Sequence, residues 1–529
     1  MTVDVKQILE QYNRGTNFKS SLGNKGLFEQ SKINERFYIG DQWHGAKCGN
    51  DRPLVRYNVI KRIATYKISQ ILNMPLSVAF SAEGIALKKD KNFDFSFENN
   101  EVTEDEINYI MSAFGDFYKT TAERVKLFDL NEKILRKAYI SGSALLYTYW
   151  DETLPAGNFR ENNKLKKIMG DIDCEVLDIE DVVFGDPYCE DLQAQPFIIL
   201  KSSQNGETVL KQARMFGASL ERLDRISSLI VDGKIDVYTK LYKEYKNGFG
   251  YTIKSVKVCE KAVIREPFDT CLSLYPLSIF SWDKRNNLIY GESEITYLIP
   301  NQIAINRMIT ANVWAGMTVG MPIMLVNGDT VNTKITNEPG QIIKVYGSNE
   351  DVAGAVKYIT PETNNVQFDS TINALIENTL TQSGANQVAL GDSRADNASA
   401  LTVMRDAAIL PLQIIKNRFY TFSEDIARIW ADFWLNYYGK RYFKVKKEDT
   451  TEYIPFNAER YKDLVLKANI DVANSATYTE KDTADMLLTL YDKGIISKKQ
   501  LLERLPAASI PSLKALLKEI EGEENDESV

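Results

Sequence analysis

Residues 291–319 read GESEITYLIPNQIAINRMITANVWAGMTV, and this stretch decides the fold. Ile295, Leu298, Ile299, Ile305, Met308, Ile309 and Val313 recur in helical steps. The pattern predicts one helix of about 27 residues ending near Val319, roughly 40 Å long. Pro300 should kink it, because its ring removes a backbone donor inside the helix. The nearly apolar run from Val313 to Val326 holds Thr318, two glycines and Pro322, so it is too short for the roughly 20 apolar residues of a membrane span.

Working toward the C-terminus, residues 322–361 are strand-and-turn material, with turn signals at Asn327-Gly328-Asp329, Pro339-Gly340 and Gly347-Ser348-Asn349. Phe368, Ile372, Leu375, Ile376, Thr379 and Leu380 then mark a second, one-faced helix. A small polar stretch, Ser383-Gly384-Ala385-Asn386 and Gly391-Asp392-Ser393-Arg394-Ala395-Asp396-Asn397, can only be a loop. After it Leu401, Met404, Ala408, Leu412, Ile415, Phe419, Phe422, Ile426, Ile429, Phe433 and Tyr437 keep steps of three and four. They predict a helix of about 38 residues, near 57 Å, bent at Pro411 and closed by Gly439. Strands follow near Tyr442–Lys446 and Leu464–Val472, then short helices broken at Gly494 and capped by Ser497, and an acidic tail from Glu519.

Working toward the N-terminus, the region up to about Ser81 mixes polar arm and helix, with an apolar face from Ile60 to Leu72 that Pro75 ends. Thr103 and Glu106 form a capping box, so a helix should start near Glu104 and run to about Tyr118. Val125–Ile140 is helical, Ser141-Gly142-Ser143 breaks it, a strand covers Ala144–Trp150, and Asp151-Glu152 reads as a turn. Between about Lys164 and Glu266 the alternation is strand-like, with a hairpin turn at Asn247-Gly248. The fold class is α+β.

The chain has 529 residues, enough for roughly three or four domains, and its 26% charged and 44% hydrophobic residues are those of a globular protein. The first thirty residues have no apolar core for a secretory signal, which points to use in the cytoplasm. Five cysteines (Cys48, Cys174, Cys189, Cys259 and Cys271) without a Cys-x-x-Cys pair, and a single histidine, read as reduced thiols and a packing residue, His44, rather than a disulfide or zinc framework. A net charge of −8 argues against a protein that grips duplex DNA, yet suits a wall past which DNA must slide.

No phosphate-cradling G-x-x-x-x-G-K-[ST] loop, dinucleotide fingerprint or G-x-S-x-G elbow is present. One candidate for metal-assisted chemistry is the acidic run Asp171, Asp173, Glu175, Asp178, Glu180, Asp181 and Asp186, which could offer oxygen ligands to Mg²⁺ in a nuclease. The alternation of Ile172, Cys174 and Val176 favours the plainer reading of a strand with its acids on the wet face. Trp430, Phe433, Trp434, Tyr437 and Tyr438 follow the apolar stripe of the long helix and read as core rather than base-stacking groups.

Three strings carry a resemblance: Tyr57-Asn58-Val59-Ile60-Lys61-Arg62-Ile63 with Leu72-Asn73-Met74-Pro75, Ala138-Tyr139-Ile140-Ser141-Gly142-Ser143-Ala144 running to Tyr149-Trp150-Asp151, and Gly291-Glu292-Ser293-Glu294-Ile295 with Asn306. In this order they resemble the portal proteins of tailed bacteriophages (head-tail connectors), in the branch similar to the portal of a Bacillus siphophage. The resemblance covers most of the chain. Ala398-Ser399-Ala400 stands where the family usually carries a glycine step, so the start of the long helix shifts by a few residues.

The resemblance implies a portal-type fold: an N-terminal arm (1–60), an α+β wing (61–291), a stem helix (292–320) and a strand-containing clip (321–365). A second stem helix (366–384), a tunnel loop (385–399), a long kinked helix (400–438), further wing strands (439–474), a helical crown (475–518) and the acidic tail (519–529) complete it. It also implies a homo-oligomeric ring, usually of about twelve copies, at one capsid vertex. Its partners would be the major capsid and scaffolding proteins, terminase, head-completion adaptors, and double-stranded DNA passing without sequence specificity; no membrane, cofactor, metal or catalytic residue is implied. Asp392, Ser393, Arg394, Asp396 and Asn397 would face the DNA, with Pro411 as the helix kink.

Overall fold

The computed structural model describes residues 4–46, 53–73, 77–83, 104–161, 164–246, 250–319, 323–327, 329, 331, 344–348, 354, 356–359, 365–385, 410–447, 450–458, 465–471, 487–494 and 501. The chain begins with helices α1 (Val5–Ser20), α2 (Gly26–Ile39) and α3 (Val59–Leu72), then β1 (Ser77–Glu83) and helices α4 (Glu104–Arg124) and α5 (Leu127–Ser141). The hairpin strands β2 (Ser143–Glu161) and β3 (Lys164–Asp178) precede β4 (Val182–Phe184), β5 (Phe197–Asn205), α6 (Gly206–Met215) and α7 (Leu220–Ser227). Strands β6 (Lys234–Lys246), β7 (Gly250–Val258), β8 (Val263–Asp269) and β9 (Leu277–Ser281) lead to α8 (Ile295–Val319). Then come β10 (Ile323–Val326), β11 (Val356–Ile359), α9 (Asn365–Gln382), α10 (Gln413–Tyr437), β12 (Lys440–Lys447), β13 (Thr450–Asn457) and β14 (Val465–Asp471). The fold is α+β.

Two compact units arise. The first comprises residues 1–69, 125–157 and 167–422. Its largest sheet is an antiparallel meander in the order β4-β5-β6-β7-β8. Alternation along the strands splits its apolar residues between the two faces. Val183, Ile199, Tyr238, Val256 and Val258 meet Ile8 and Tyr12 of α1, while Ile235, Val237, Cys259 and Ile264 meet Val209 and Ala213 of α6 and Leu223 and Ile226 of α7. Gly15 lets α1 approach this closely, because a Cβ there would overlap Val183. A smaller sheet, β3-β2-β9, sets Ser143–Tyr147 against Ser281–Leu277.

The second unit comprises residues 70–124, 158–166 and 423–529. It pairs β1 with β14 and β12 with β13, both antiparallel. Its core is aromatic: Phe80, Phe114 and Phe117 pack on Trp434, Phe456 packs on Phe114 and Phe117, and Tyr118 packs on Trp430. Trp430, Phe433, Trp434 and Tyr438 are buried, as their apolar stripe predicts.

Four expectations need correction. The strand-like region 164–266 contains two helices, α6 and α7, each started by a side-chain cap: Asn205 accepts from the N–H of Glu207 and Ser219 from that of Arg222. Asp151-Glu152 is no turn, since β2 runs through it to Glu161. Asp151 satisfies itself locally, accepting from the N–H and hydroxyl of Thr153. Helix α4 extends beyond Tyr118 to Arg124. His44 is exposed and lies 3.2 Å from the Asp41 carboxylate instead of packing. The turn at 247–249, Cys48 and the acidic tail lie outside the described residues, as do residues 475–518 apart from 487–494 and 501.

Candidate functional site: a helix pair with a strand-paired tip

Helix α8 carries one charged residue, Arg307, in its 25 residues. It runs antiparallel to α9: Asn301 donates to the Thr379 hydroxyl at 3.3 Å near one end, and Asn312 to the Asp369 carboxylate at 2.7 Å near the other. At the far end the chain crosses between the helices through a two-stranded antiparallel tip, Ile323–Val326 against Ile359–Val356, with a bridge between Val331 and Val345 beyond it. At the near end Gly384, just after α9, meets Pro411: a Cβ on this left-handed glycine would lie 3.4 Å from the proline ring. The end of α9 and the turn ahead of α10 therefore meet.

Burial is uneven along α8. Ile295, Leu298 and Ile305 are buried, whereas Val313 is 39% and Met317 51% exposed. Apolar groups of this size stabilise by about 1.5–3 kcal/mol each when fully covered, so Val313 and Met317 leave part of that gain unrealised.

The near end is anchored by the three strings of the sequence. Gly142, with φ +89, lies so close to Gly291 that a Cβ on either would stand 2.5 Å from the other's carbonyl oxygen. The Ser143 hydroxyl accepts from the Gly291 N–H at 2.8 Å, and the Ser293 hydroxyl donates to the Tyr139 carbonyl at 2.6 Å. Glu294 is half-buried with both oxygens engaged, one by Lys67 at 2.6 Å and one by the Trp282 indole at 3.1 Å. Burial, and then the nearby Glu294 charge, push the Tyr139 phenol well above its usual range. Arg418 of α10 reaches the Trp282 carbonyl at 2.7 Å, while Phe280 packs on Phe419 and Phe422.

One face of α8 is polar and pairs with backbone. Gln302, Asn306 and Thr310 accept from the N–H groups of Val59, Tyr57 and Val55 at 2.9, 3.0 and 3.1 Å. Gln302 also accepts from Ile60 and donates to the Tyr57 carbonyl, so a side chain of α8 caps the start of α3. Asn306 was visible from sequence within the third string; Gln302, Thr310, Lys67 and Glu294 as partners were not. A polar stripe in steps of four along an otherwise apolar helix was the available signal.

No family model and no curated protein matches the sequence. Among solved structures, a chain of the virion of a native gene transfer agent particle superposes with a TM-score of 0.37 at 10% identity. The match covers 93% of this chain and 99% of that one. At that score the likeness carries no argument about fold or role.

Asp392, Ser393, Arg394, Asp396 and Asn397 lie outside the described residues. Pro411 occupies a 3₁₀ turn, Leu410–Leu412, directly ahead of α10. The acidic run is dispersed. Asp173 accepts from the Tyr149 hydroxyl at 3.0 Å, Asp178 pairs with Lys137, and Asp186 accepts from the Tyr188 N–H. Asp171 is buried rather than on a wet face, following the left-handed Gly170 that interrupts the alternation. Among the described residues no three of His, Cys, Asp or Glu gather as a metal site, and no helix is long and apolar enough to cross a membrane.

Glu180 and Asp181 face the amine of Lys19, which donates to the carbonyls of Ile179 and Glu180 at 3.1 and 2.6 Å. Burial, opposed by those two carboxylates, lowers the Lys19 amine to about 7. The same burial raises Glu180 and Asp181.

Proposed function

We propose that this chain is the repeating subunit of a phage portal ring, a conduit for double-stranded DNA at one capsid vertex and not an enzyme. One observation carries the reading: an antiparallel helix pair, α8 and α9, whose chain crosses at the far end through a strand-paired tip. That is the stem-and-clip order which the resemblance implies. A wall helix with a single charge offers sliding DNA few fixed counter-ions, so phosphates meet no deep electrostatic trap. The exposed Val313 and Met317 are the kind of surface that neighbouring copies cover when a head-to-tail contact closes into a ring.

In this reading the ring passes DNA inward during packaging and outward during ejection. It docks terminase first and head-completion adaptors later, within a virion that also contains capsid protein and, during assembly, scaffolding protein. Residues 385–399 form the tunnel loop. Asp392, Arg394 and Asp396, mixed in sign, give reversible contact.

Negative-stain imaging of the purified chain tests the proposal. A turbine-shaped ring with an axial hole is expected, and monomers alone or a long tube overturn it. Incubation with DNA and Mg²⁺ should give no cleavage; cleavage lost on replacing Asp173 and Asp181 would instead support a nuclease. Shortening residues 385–399 should block packaging or genome retention while rings still assemble, and normal packaging without the loop removes its assigned role.

A further inference from the structure

The polar face of α8 matches the repeat of the segment it holds. Steps of four residues on a helix advance about 6 Å, and steps of two along extended chain advance about 6.6–6.8 Å. Thr310 meets Val55, Asn306 meets Tyr57 and Gln302 meets Val59, so each helical step of four corresponds to a step of two in the opposite chain direction. Every rung bonds backbone N–H rather than a side chain. The contact therefore measures position along the axis and is indifferent to the side chains of the strap.

Both ends of the ladder are bounded. A shift of α8 by one rung in one direction would set Thr310 against Pro53, which has no N–H. A shift the other way would carry Gln302 past Val59 into α3, where the chain no longer advances in extended steps of two and the Lys61 N–H is already bonded to the Asn58 side chain at 3.0 Å. Beyond the rungs, the next helix positions are Leu298 and Trp314, whose side chains offer no oxygen acceptor. Burial holds the inner rungs to their partners, since Gln302 and Asn306 are 1% and 2% exposed and would pay the full desolvation cost if unpaired.

We propose that Gln302, Asn306 and Thr310 are positioning residues that fix the axial level of α8 against α3, and with it the level of the β10–β11 tip. This rests on the portal reading for its consequence, which is the height at which the tip is presented. The ladder itself is testable on the chain alone.

Hydrogen exchange on the purified full chain reads each rung. Thr310→Val should speed exchange at Val55, and Asn306→Leu at Tyr57, by about fivefold, the size expected for one lost hydrogen bond. Asn306→Asp keeps the acceptor and should leave Tyr57 protected. Unchanged protection at 55–60 in both Thr310→Val and Asn306→Leu overturns the ladder. A structure of Q302L/N306L/T310V, in whatever oligomer the chain forms, should show α8 displaced along its axis relative to α3, with α9 and the tip moving alongside. An α8 at its original level overturns the positioning role. If that triple variant does not fold, the structure of Thr310→Val decides by the same criterion. Wild-type chain that forms no ring while showing these exchange effects fails the portal reading and keeps the ladder.

Discussion

The five-stranded sheet and the α8–α9 pair belong to the same unit and solve burial in different ways. The sheet is covered on both faces by its own chain, α1 on one side and α6 with α7 on the other. The pair is covered unevenly: Ile305 and Ile372 are buried, while Val313 and Met317 of α8 are left to solvent. A sheet finished by its own chain is stable at any protein concentration, whereas in the proposed ring a helix pair covered by neighbouring copies would tie its last increment of stability to assembly.

The comparison breaks most visibly at the anchor. Phe280→Ala removes a buried ring that packs on Trp282, Phe419 and Phe422, and should lower unfolding free energy by about 4 kcal/mol. Chemical denaturation measures this, and a loss under about 1 kcal/mol would show that the anchor is not a core. Next in size is Glu294→Gln, which leaves the buried Lys67 ammonium without its carboxylate and should cost about 3 kcal/mol. Adding Lys67→Met to it should recover part of that loss.

A smaller effect distinguishes the sheet side. Lys19 releases its proton at about 7 when folded and near 10.5 when unfolded. Between those values the unfolded chain holds more protons, so folding stability gained from this group rises with pH. Relative to Lys19→Met, the wild type should gain about 1 kcal/mol per pH unit above pH 7 and show a flat difference below it. Melting temperatures at pH 6, 7, 8 and 9 check the slope, and a difference independent of pH over that range contradicts it. Glu180 and Asp181, whose carboxyls burial raises, act with the opposite sign. Smallest of all, Val313→Ser with Met317→Ser should change the stability of the isolated chain by less than about 0.5 kcal/mol. The same pair should reduce the ring fraction in sedimentation, and an unchanged fraction would remove these residues from the subunit contact.

What could be read from sequence divides along the same line. Long elements with sustained periodicity announced themselves: α8 was expected to end near Val319 and does, and the capping box at Thr103 marks the start of α4 at Glu104. The break at Gly142 was legible because only glycine tolerates its left-handed backbone and its contact with Gly291. Short helices were not. α6 and α7 have ten and eight residues, too few to show a period against surrounding strands, although Asn205 and Ser219 are both good caps. The partnership of Lys67 with Glu294, and of Gln302 with a segment far away in sequence, is a product of tertiary folding that no local pattern encodes.

The meeting of Gly384 and Pro411 has a consequence for how this chain can change. Gly384 ends α9 and Pro411 stands just ahead of α10, so positions far apart in sequence are close in space. Closing a chain segment between ends this near costs only about 0.6 kcal/mol more when its length doubles, so insertions between these two positions should leave α9 and α10 in place.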